Sequence, residues 1–301
     1  MSSEIQLHFV DPASGNEIAP VRSFTGRPGY TMEACTPNTV LPVLERIRRN
    51  FFSPDLTMVA DSRTTSQITH IGYDPEGQAF VDLSPAKATN YSAKTPRQIH
   101  PSFNLADRRL WFYDETTGHL GSVDPRLGPS SIRQEQDPPG GALSDMSFEF
   151  DNHGKPFYTD PSAITSLDGQ WEVLNDAAEG WKIAPKQQTH SANAWAPVQP
   201  DSSVTAPTCE PGTFIDDLRF ICWGGNNIYV MTLTPDRKSM SQTTLLPPSD
   251  NRVQHVLPSP DGSSVAFLSG STLYVTSSTN QQEPRKVVAF QGQDIRLVGW
   301  Q

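Results

Sequence analysis

Histidine and arginine side chains recur before a series of turn signals in this sequence. If the segments that carry them are equivalent strands around one axis, these side chains form a ring at the mouth of a channel. Imidazole and guanidinium groups that converge there could bind an anionic or small polar ligand. The alternative is that they end strands and hydrogen-bond to neighbouring loops. The residues four places before each turn are Arg49, His100, Ser147, His255 and Leu297, with Arg296 one place from the last.

Aspartates occupy the turns themselves and raise the question of a calcium site. Calcium needs several oxygen ligands that converge on one point. An aspartate at a regular place in each turn is better explained by turn formation, because its side chain accepts hydrogen bonds from the turn backbone. We therefore predict no cofactor, and calcium stays an alternative that the pattern does not favour. The aspartates concerned are Asp55, Asp107, Asp151, Asp216, Asp217 and Asp261.

The three cysteines have spacings that exclude a C-x-x-C zinc or redox site. Cys209 and Cys222 flank a Pro-Gly turn and an "IDD" loop, so they could meet across a hairpin and form a disulfide. Such a bond implies an oxidising compartment. The alternative is two thiols buried in β-strands.

Tryptophans 181 and 195 lie at the two ends of the segment "WKIAPKQQTHSANAW", in a region rich in Pro, Ser and Ala. Tryptophan and proline are frequent at interfaces, so Trp181 and Trp195 are candidates for a partner-binding loop. The alternative is a loop that packs on its own sheet.

The composition excludes some classes of protein. The net charge is −10 and the isoelectric point about 5.1, which argues against binding of nucleic acid, since that requires clustered Lys and Arg. No apolar run reaches the roughly 18 residues of a membrane span. The first residues, "MSSEIQLHFVDP", show no export signal. A removed signal sequence would leave the same pattern.

A repeat is visible in the turns. "SPDGSSVAF" at Ser259 and "SPDLTMVAD" at Ser53 lie 206 residues apart, close to four periods of about 51. Degenerate copies fall between them, and first strands near residues 50, 100, 146, 213, 256 and 296 predict six blades. The interval 168–208 is predicted to be a long irregular insertion, with a further blade as the alternative.

The two ends of the chain complement each other. Residues 294–301, "DIRLVGWQ", are predicted to be a first strand, and residues 5–21 the last two strands of a unit without one. Pairing of the N-terminal strands with the C-terminal strand would complete one blade and remove exposed sheet edges.

The Ser259 and Ser53 motifs, together with "STLYV" after the first, resemble the TolB-type β-propeller repeat, which is WD-repeat-like. The resemblance covers most of the chain as a period and two blades as a motif. It implies an exported bacterial protein that docks partners, as a secreted protein or a lipoprotein. No peptidase domain accompanies the repeat, and the nucleophile motif G-x-S-x-G is absent.

These observations together predict an all-β protein, a β-propeller of six four-stranded blades in a single domain over residues 1–301. The predicted function is a non-catalytic scaffold that binds a protein or peptide partner, outside the cytoplasm and as a monomer. The alternative is a cytoplasmic enzyme, a hydrolase, lyase or cyclase acting on a small molecule at the channel mouth. An exposed apolar patch would favour the scaffold, and a deep polar pocket with perturbed titratable groups would favour the enzyme.

Overall fold

The computed structural model describes residues 5–24, 49–65, 68–84, 98–115, 117–138, 147–150, 153–159, 163–176, 178–186, 194–205, 209–291 and 295–300. Contacts divide the chain into two compact units. The first unit comprises residues 1–9 and 17–158, and the second comprises residues 10–16 and 159–301.

The first half of the chain forms antiparallel sheets. A hairpin of β1 and β2 is followed by a three-stranded sheet β3–β5, a four-stranded sheet β6–β9 and a hairpin of β10 and β11. Single 3-10 turns span Arg49–Phe51 and Pro129–Ser131. The strands are β1 Ile5–Val10, β2 Glu17–Phe24, β3 Met58–Thr65, β4 Ile68–Pro75, β5 Val81–Asp82, β6 Gln98–Phe103, β7 Leu110–Asp114, β8 His119–Val123, β9 Arg133–Gln134, β10 Ser147–Phe150 and β11 Pro156–Thr159.

The second half forms a four-stranded sheet β12–β15, a five-stranded sheet β16–β20 and a four-stranded sheet β21–β24. Each is an antiparallel meander, except that β16 pairs in parallel with β20. The strands are β12 Ala163–Thr165, β13 Trp171–Asp176, β14 Gly180–Pro185, β15 Ala196–Pro197, β16 Gln199–Pro200, β17 Glu210–Phe214, β18 Arg219–Gly224, β19 Asn227–Leu233, β20 Ser239–Thr244, β21 Gln254–Pro258, β22 Ser264–Ser269, β23 Thr272–Ser277 and β24 Arg285–Ala289.

Consecutive sheets within each unit share an apolar core. Phe103 of β6 and Phe112 of β7 pack with Ile71 of β4, so the β3–β5 and β6–β9 sheets are joined face to face. In the second unit the β16–β20 sheet contributes Phe220 to a core shared with the preceding sheet and Ile221 to a core shared with the next. Because successive side chains of a strand point to opposite faces, the central sheet can serve both neighbours.

The sheets confirm an all-β fold built of propeller-type blades, but the predicted number of six is wrong. The described residues contain five sheets of three or more strands, and most of these blades have three or four strands. The β10–β11 segment, predicted as the start of a full blade, is a two-stranded hairpin in the described part of the chain.

The interval 168–208 contains regular structure in place of a long irregular insertion. "SLDG" at Ser166 makes the same turn as "SPDG", with leucine in place of proline, and leads into β13. The β12–β15 sheet and the short strand β16 account for most of the described residues in this interval, so the interval contributes to two of the five blades.

Closure by strand pairing between the chain ends is also wrong for the described residues. Residues 295–300 form no strand. Ile295, Leu297 and Trp300 instead pack their side chains, together with Val10, against the last sheet.

The hairpin turn at residues 11–16 docks on the edge strand β24. Arg285 donates hydrogen bonds to the carbonyl oxygens of Pro12 and Ala13. A Cβ on Gly15, which has φ +76°, would lie 2.3 Å from the carbonyl oxygen of Val287. The N-terminal and C-terminal segments of the second unit therefore meet through side chains and a turn, without a continuous strand ladder.

Candidate functional site

Polar residues of the turns form a repeated hydrogen-bond network. In the last sheet, the Ser259 hydroxyl donates to Oδ1 of Asp261 at 2.5 Å and accepts from the amide of Ser264 at 3.0 Å. The same Asp261 oxygen accepts from the amide of Ser263 at 3.1 Å. The network recurs in four turns, whose hydroxyl and carboxylate residues are Ser53 and Asp55, Ser166 and Asp168, Thr234 and Asp236, and Ser259 and Asp261.

The hydrogen bonds of the network favour the charged carboxylate. The donation from Ser259, followed by the amide and hydroxyl of Ser263, lowers the pKa of Asp261 to about 2. For Asp55, burial raises the pKa, but hydrogen bonds from Ser53 and Thr57 outweigh it and the pKa is lowered. These carboxylates are used in building turns, as the turn interpretation predicts.

Asp107 and Asp216 also serve their turns. Asp107 accepts from the amide of Arg109 and from the indole N–H of Trp111, at 2.9 and 3.0 Å. Asp216 accepts from the Arg219 side chain at 2.6 Å. The described residues contain no group of three or more acidic, His or Cys side chains placed to hold a metal ion. Asp151 lies outside the described residues.

Arg49 is bound to the turn that follows it. Its guanidinium donates to the carbonyl oxygens of Phe52, Ser53 and Pro54 at 3.1, 3.0 and 2.9 Å. Burial lowers its pKa, and the charge of Asp55 partly offsets that effect. Arg49 therefore hydrogen-bonds to a neighbouring loop, as the alternative to a ligand-binding ring predicts.

His100 and His255 occupy equivalent positions in two sheets. Each lies in a β-bulge of a first strand, between paired residues whose register shifts. Their φ angles are +55° and +48°, in the left-handed region that non-glycine residues seldom adopt. A bulge re-aims a side chain, and both imidazoles are half-buried.

Two further predicted ring residues are Arg296 and Ser147. Arg296 is half-buried in the segment that follows the last sheet. Ser147 begins β10, and its side chain lies outside the described residues. Binding of a ligand by the set Arg49, His100, Ser147, His255 and Arg296 stays a prediction.

The two tryptophans have different environments. Trp181 lies in β14, only 2% exposed, with its ring 5.4 Å from that of Phe220. Trp181 is therefore a core residue, because a side chain so buried is not accessible to a partner, and its assignment to a partner loop is corrected. Trp195 is partly exposed just before β15.

Cys209, which directly precedes β17, forms a disulfide with Cys222 of β18, and their Cα atoms are 5.6 Å apart. Both residues are buried in the core shared by the β12–β15 and β16–β20 sheets. Cys35 lies outside the described residues.

Sequence reasoning missed a buried ion pair and several exposed leucines. Glu172 of β13 is 1% exposed and pairs with Lys186, which follows β14. Leu105, Leu127 and Leu167 are 43, 68 and 48% exposed at turns of their sheets. The sequence does contain a signal for these three positions, because each is a leucine in a turn where a polar residue is expected.

Comparison with known proteins gives a likeness in fold alone. No family model matches the chain, and no curated protein sequence matches it. Among solved structures, Sqt1 from Chaetomium thermophilum is 11% identical over 78% of this chain and 69% of its own, with a TM-score of 0.43. KlAtg21, in complex with the coiled coil of AgAtg16, is 10% identical over 77% of this chain and 81% of its own, with a TM-score of 0.40. Kluyveromyces lactis Hsv2 is 14% identical over 76% and 72%, with a TM-score of 0.35. Similarity at this level establishes neither a family nor a function.

Among the described residues, no helix has the length and apolar character that a membrane span requires.

Proposed function

We propose that this protein is a non-catalytic scaffold of propeller-type blades that binds a protein or peptide partner through the turns at the edges of its sheets. Membership of the TolB-type repeat family is part of this proposal, and the recurring Ser–Asp turn network supports it. We take the protein to act as a monomer.

The observation that carries the proposal is the exposure of leucine at the turns. Leu105 and Leu167 lie between the first and second strands of their sheets, and Leu127 between the third and fourth strands of the same sheet as Leu105. A partner that covers these leucines, which are 43 to 68% exposed, would remove apolar surface from water at about 25 cal/mol per Å², and this favours binding.

A location outside the cytoplasm, secreted or lipid-anchored, belongs to the same proposal. The Cys209–Cys222 disulfide supports it, because disulfides persist in oxidising compartments and are rare in the cytoplasm. Thiols alkylated in living cells before lysis report the oxidation state directly. Protection of this pair from the reagent agrees with the proposal, and labelling of both cysteines contradicts it.

Cross-linking in the native host tests the scaffold function. The tagged protein at its natural abundance is treated with an amine-reactive cross-linker and isolated, and the attached peptides are identified by mass spectrometry. We expect one protein in near-stoichiometric amount, linked to lysines beside the turns, such as Lys155. Recovery of the protein alone, with turnover of a small molecule by the purified chain, would contradict a scaffold role and favour the enzyme.

A further inference from the structure

Two exposed leucines lie at the same end of the β6–β9 sheet, in connections where the chain reverses direction. In an antiparallel meander, the first-to-second and third-to-fourth connections leave the sheet at one end, and these connections carry Leu105 and Leu127. The turns are two strand spacings apart, about 10 Å. An extended peptide covers that distance in about three residues. We call the two connections, residues 104–109 and 124–131, the leucine turn edge.

Hydrogen bonds tie the two turns to each other. The Arg109 guanidinium, at the end of the first turn, donates to the hydroxyl of Ser122 at 2.6 Å and to the carbonyl oxygen of Ser131 at 2.7 Å. Within the second turn, the amides of Leu127 and Gly128 both donate to the carbonyl oxygen of Asp124. The leucine turn edge is thus held in one geometry before any partner binds, which reduces the entropic cost of binding.

Two arginines beside the leucines supply a charge that the turns do not use. Arg108 and Arg126 are both exposed, and neither side chain has a hydrogen bond or ion pair with another described residue. The nearby carboxylates of Asp107 and Asp124 are hydrogen-bonded to the backbone amides of their turns, at 2.9 Å each. The hairpin between β10 and β11 adds Lys155 to this edge, since Gly154 accepts a hydrogen bond from Asn104.

Two arginines in turns of the second unit are used differently. Arg219 is paired with Asp216 at 2.6 Å, and Arg237 lies over the ring of Trp171, 4.6 Å from its centroid. In a protein of net charge −10, the leucine turn edge thus places two exposed arginines beside two exposed leucines.

We propose that the leucine turn edge binds a segment of a partner protein in which carboxylates stand beside aliphatic side chains. The proposal rests on the proposed scaffold function and names the chemistry of the partner. Leu105 and Leu127 bury the aliphatic side chains, and Arg108 and Arg126 pair with the carboxylates. An acidic segment is the complement of this edge, because isolated guanidinium groups have donors that match carboxylate oxygens.

Selection from a phage-displayed library of random 12-residue peptides tests the proposal with the full chain as bait. We expect enrichment of peptides that combine Asp or Glu with Leu, Ile or Val. Binding should fall at least tenfold for Arg108→Gln/Arg126→Gln and for Leu105→Ser/Leu127→Ser. Two matched controls should retain binding. Arg252→Gln/Lys286→Gln removes the same charge elsewhere, and Ile18→Ser replaces an exposed apolar residue elsewhere.

The outcomes separate this proposal from the broader one. Selected peptides that bind wild type and both edge variants equally would overturn the leucine turn edge but leave the scaffold function. Enrichment of basic peptides, or binding to vesicles containing phosphatidylserine that the edge variants lose, would overturn the acidic peptide as partner. No enrichment on wild type would overturn both. If a double variant unfolds, as judged by circular dichroism, Arg126→Gln and Leu127→Ser singly give the same reading.

Discussion

At the scale of single residues, Arg49 and the turn aspartates, which first suggested chemistry, are used to build turns. Arg49 donates to three carbonyl oxygens of one turn, and Asp261 accepts from Ser259 and Ser263. These bonds satisfy polar groups where a strand reverses direction, and they hold the exposed tip of each turn in place. The hydrogen bonds of Arg49 and Asp261 are therefore structural.

Replacement of Asp261 by asparagine should lower the stability at neutral pH. The folded pKa of about 2 lies below the ordinary value of 3.8, so the stabilisation is present above about pH 3.8 and is lost as the pH falls toward 2. The difference in Tm between wild type and Asp261→Asn should therefore shrink over that range. Asp217→Asn, which removes an exposed carboxylate without a hydrogen bond to another described residue, is the matched control. A gap in Tm that does not change with pH would contradict the role of this carboxylate.

Removal of Lys186 should destabilise the protein strongly. Glu172 is 1% exposed, and without Lys186 its charge would be buried and unpaired. Breaking such a pair costs about 3 to 5 kcal/mol, whereas replacing both partners by apolar residues is often neutral. Urea unfolding should show a large loss for Lys186→Met and substantial recovery in Glu172→Leu/Lys186→Met. Equal losses in the single and double variants would show that the pair is not buried as described.

At the scale of elements, local sequence predicts the turns and strands that follow the repeat. It does not predict an element whose interacting residues are distant in sequence. "SPDGSSVAF" predicts its turn and the strand that follows because proline, aspartate and glycine each favour the observed backbone. The β12–β15 sheet is harder to predict because the charged residue Glu172 lies within the strand β13. Its partner Lys186 lies fourteen residues away in sequence. Residues 295–300 have the apolar pattern of a strand, but their side chains pack against a sheet without joining it.

Gly15→Ala should cost more stability than Gly77→Ala. Both glycines have positive φ, +76° and +66°, so both alanine variants bear the backbone strain of about 1 kcal/mol. At Gly15 the new Cβ would also lie 2.3 Å from the carbonyl oxygen of Val287, whereas nothing lies within 4 Å at Gly77. The difference in unfolding free energy therefore isolates the docking of the 11–16 turn on β24. Equal losses would mean that the turn does not contact this strand.

The disulfide should supply much of the stability of the β17–β18 hairpin region. A loop of this length, with a separation of 13 residues, corresponds to about 3 kcal/mol. Cys209→Ala/Cys222→Ala should lose that amount in urea unfolding, and reductant should lower the Tm of wild type but not of the variant. A thiol titration of the unfolded, unreduced protein should find one thiol, Cys35, of the three cysteines. Three reactive thiols would contradict the bond.

At the scale of the whole molecule, the all-β class and the blade-type sheets could be predicted from the spacing of turns, and the count of blades could not. Counting depended on finding every first strand, and weak copies such as "SLDG" at Ser166 depart from the repeat at the proline. The leucine turn edge was also beyond prediction, because neighbouring connections of one sheet, at Leu105 and Leu127, are twenty-two residues apart in sequence. Only the pairing of the strands brings them to one edge.

Recognition through the leucine turn edge is tested by the dissociation constant of one selected acidic–aliphatic peptide, measured by calorimetry for wild type and variants. Loss of about 1.4 kcal/mol of contact corresponds to tenfold weaker binding. We predict at least that loss for Arg108→Gln/Arg126→Gln, a further weakening with added salt, and an unchanged constant for Arg252→Gln/Lys286→Gln. The same constant in all three proteins would contradict recognition through the leucine turn edge.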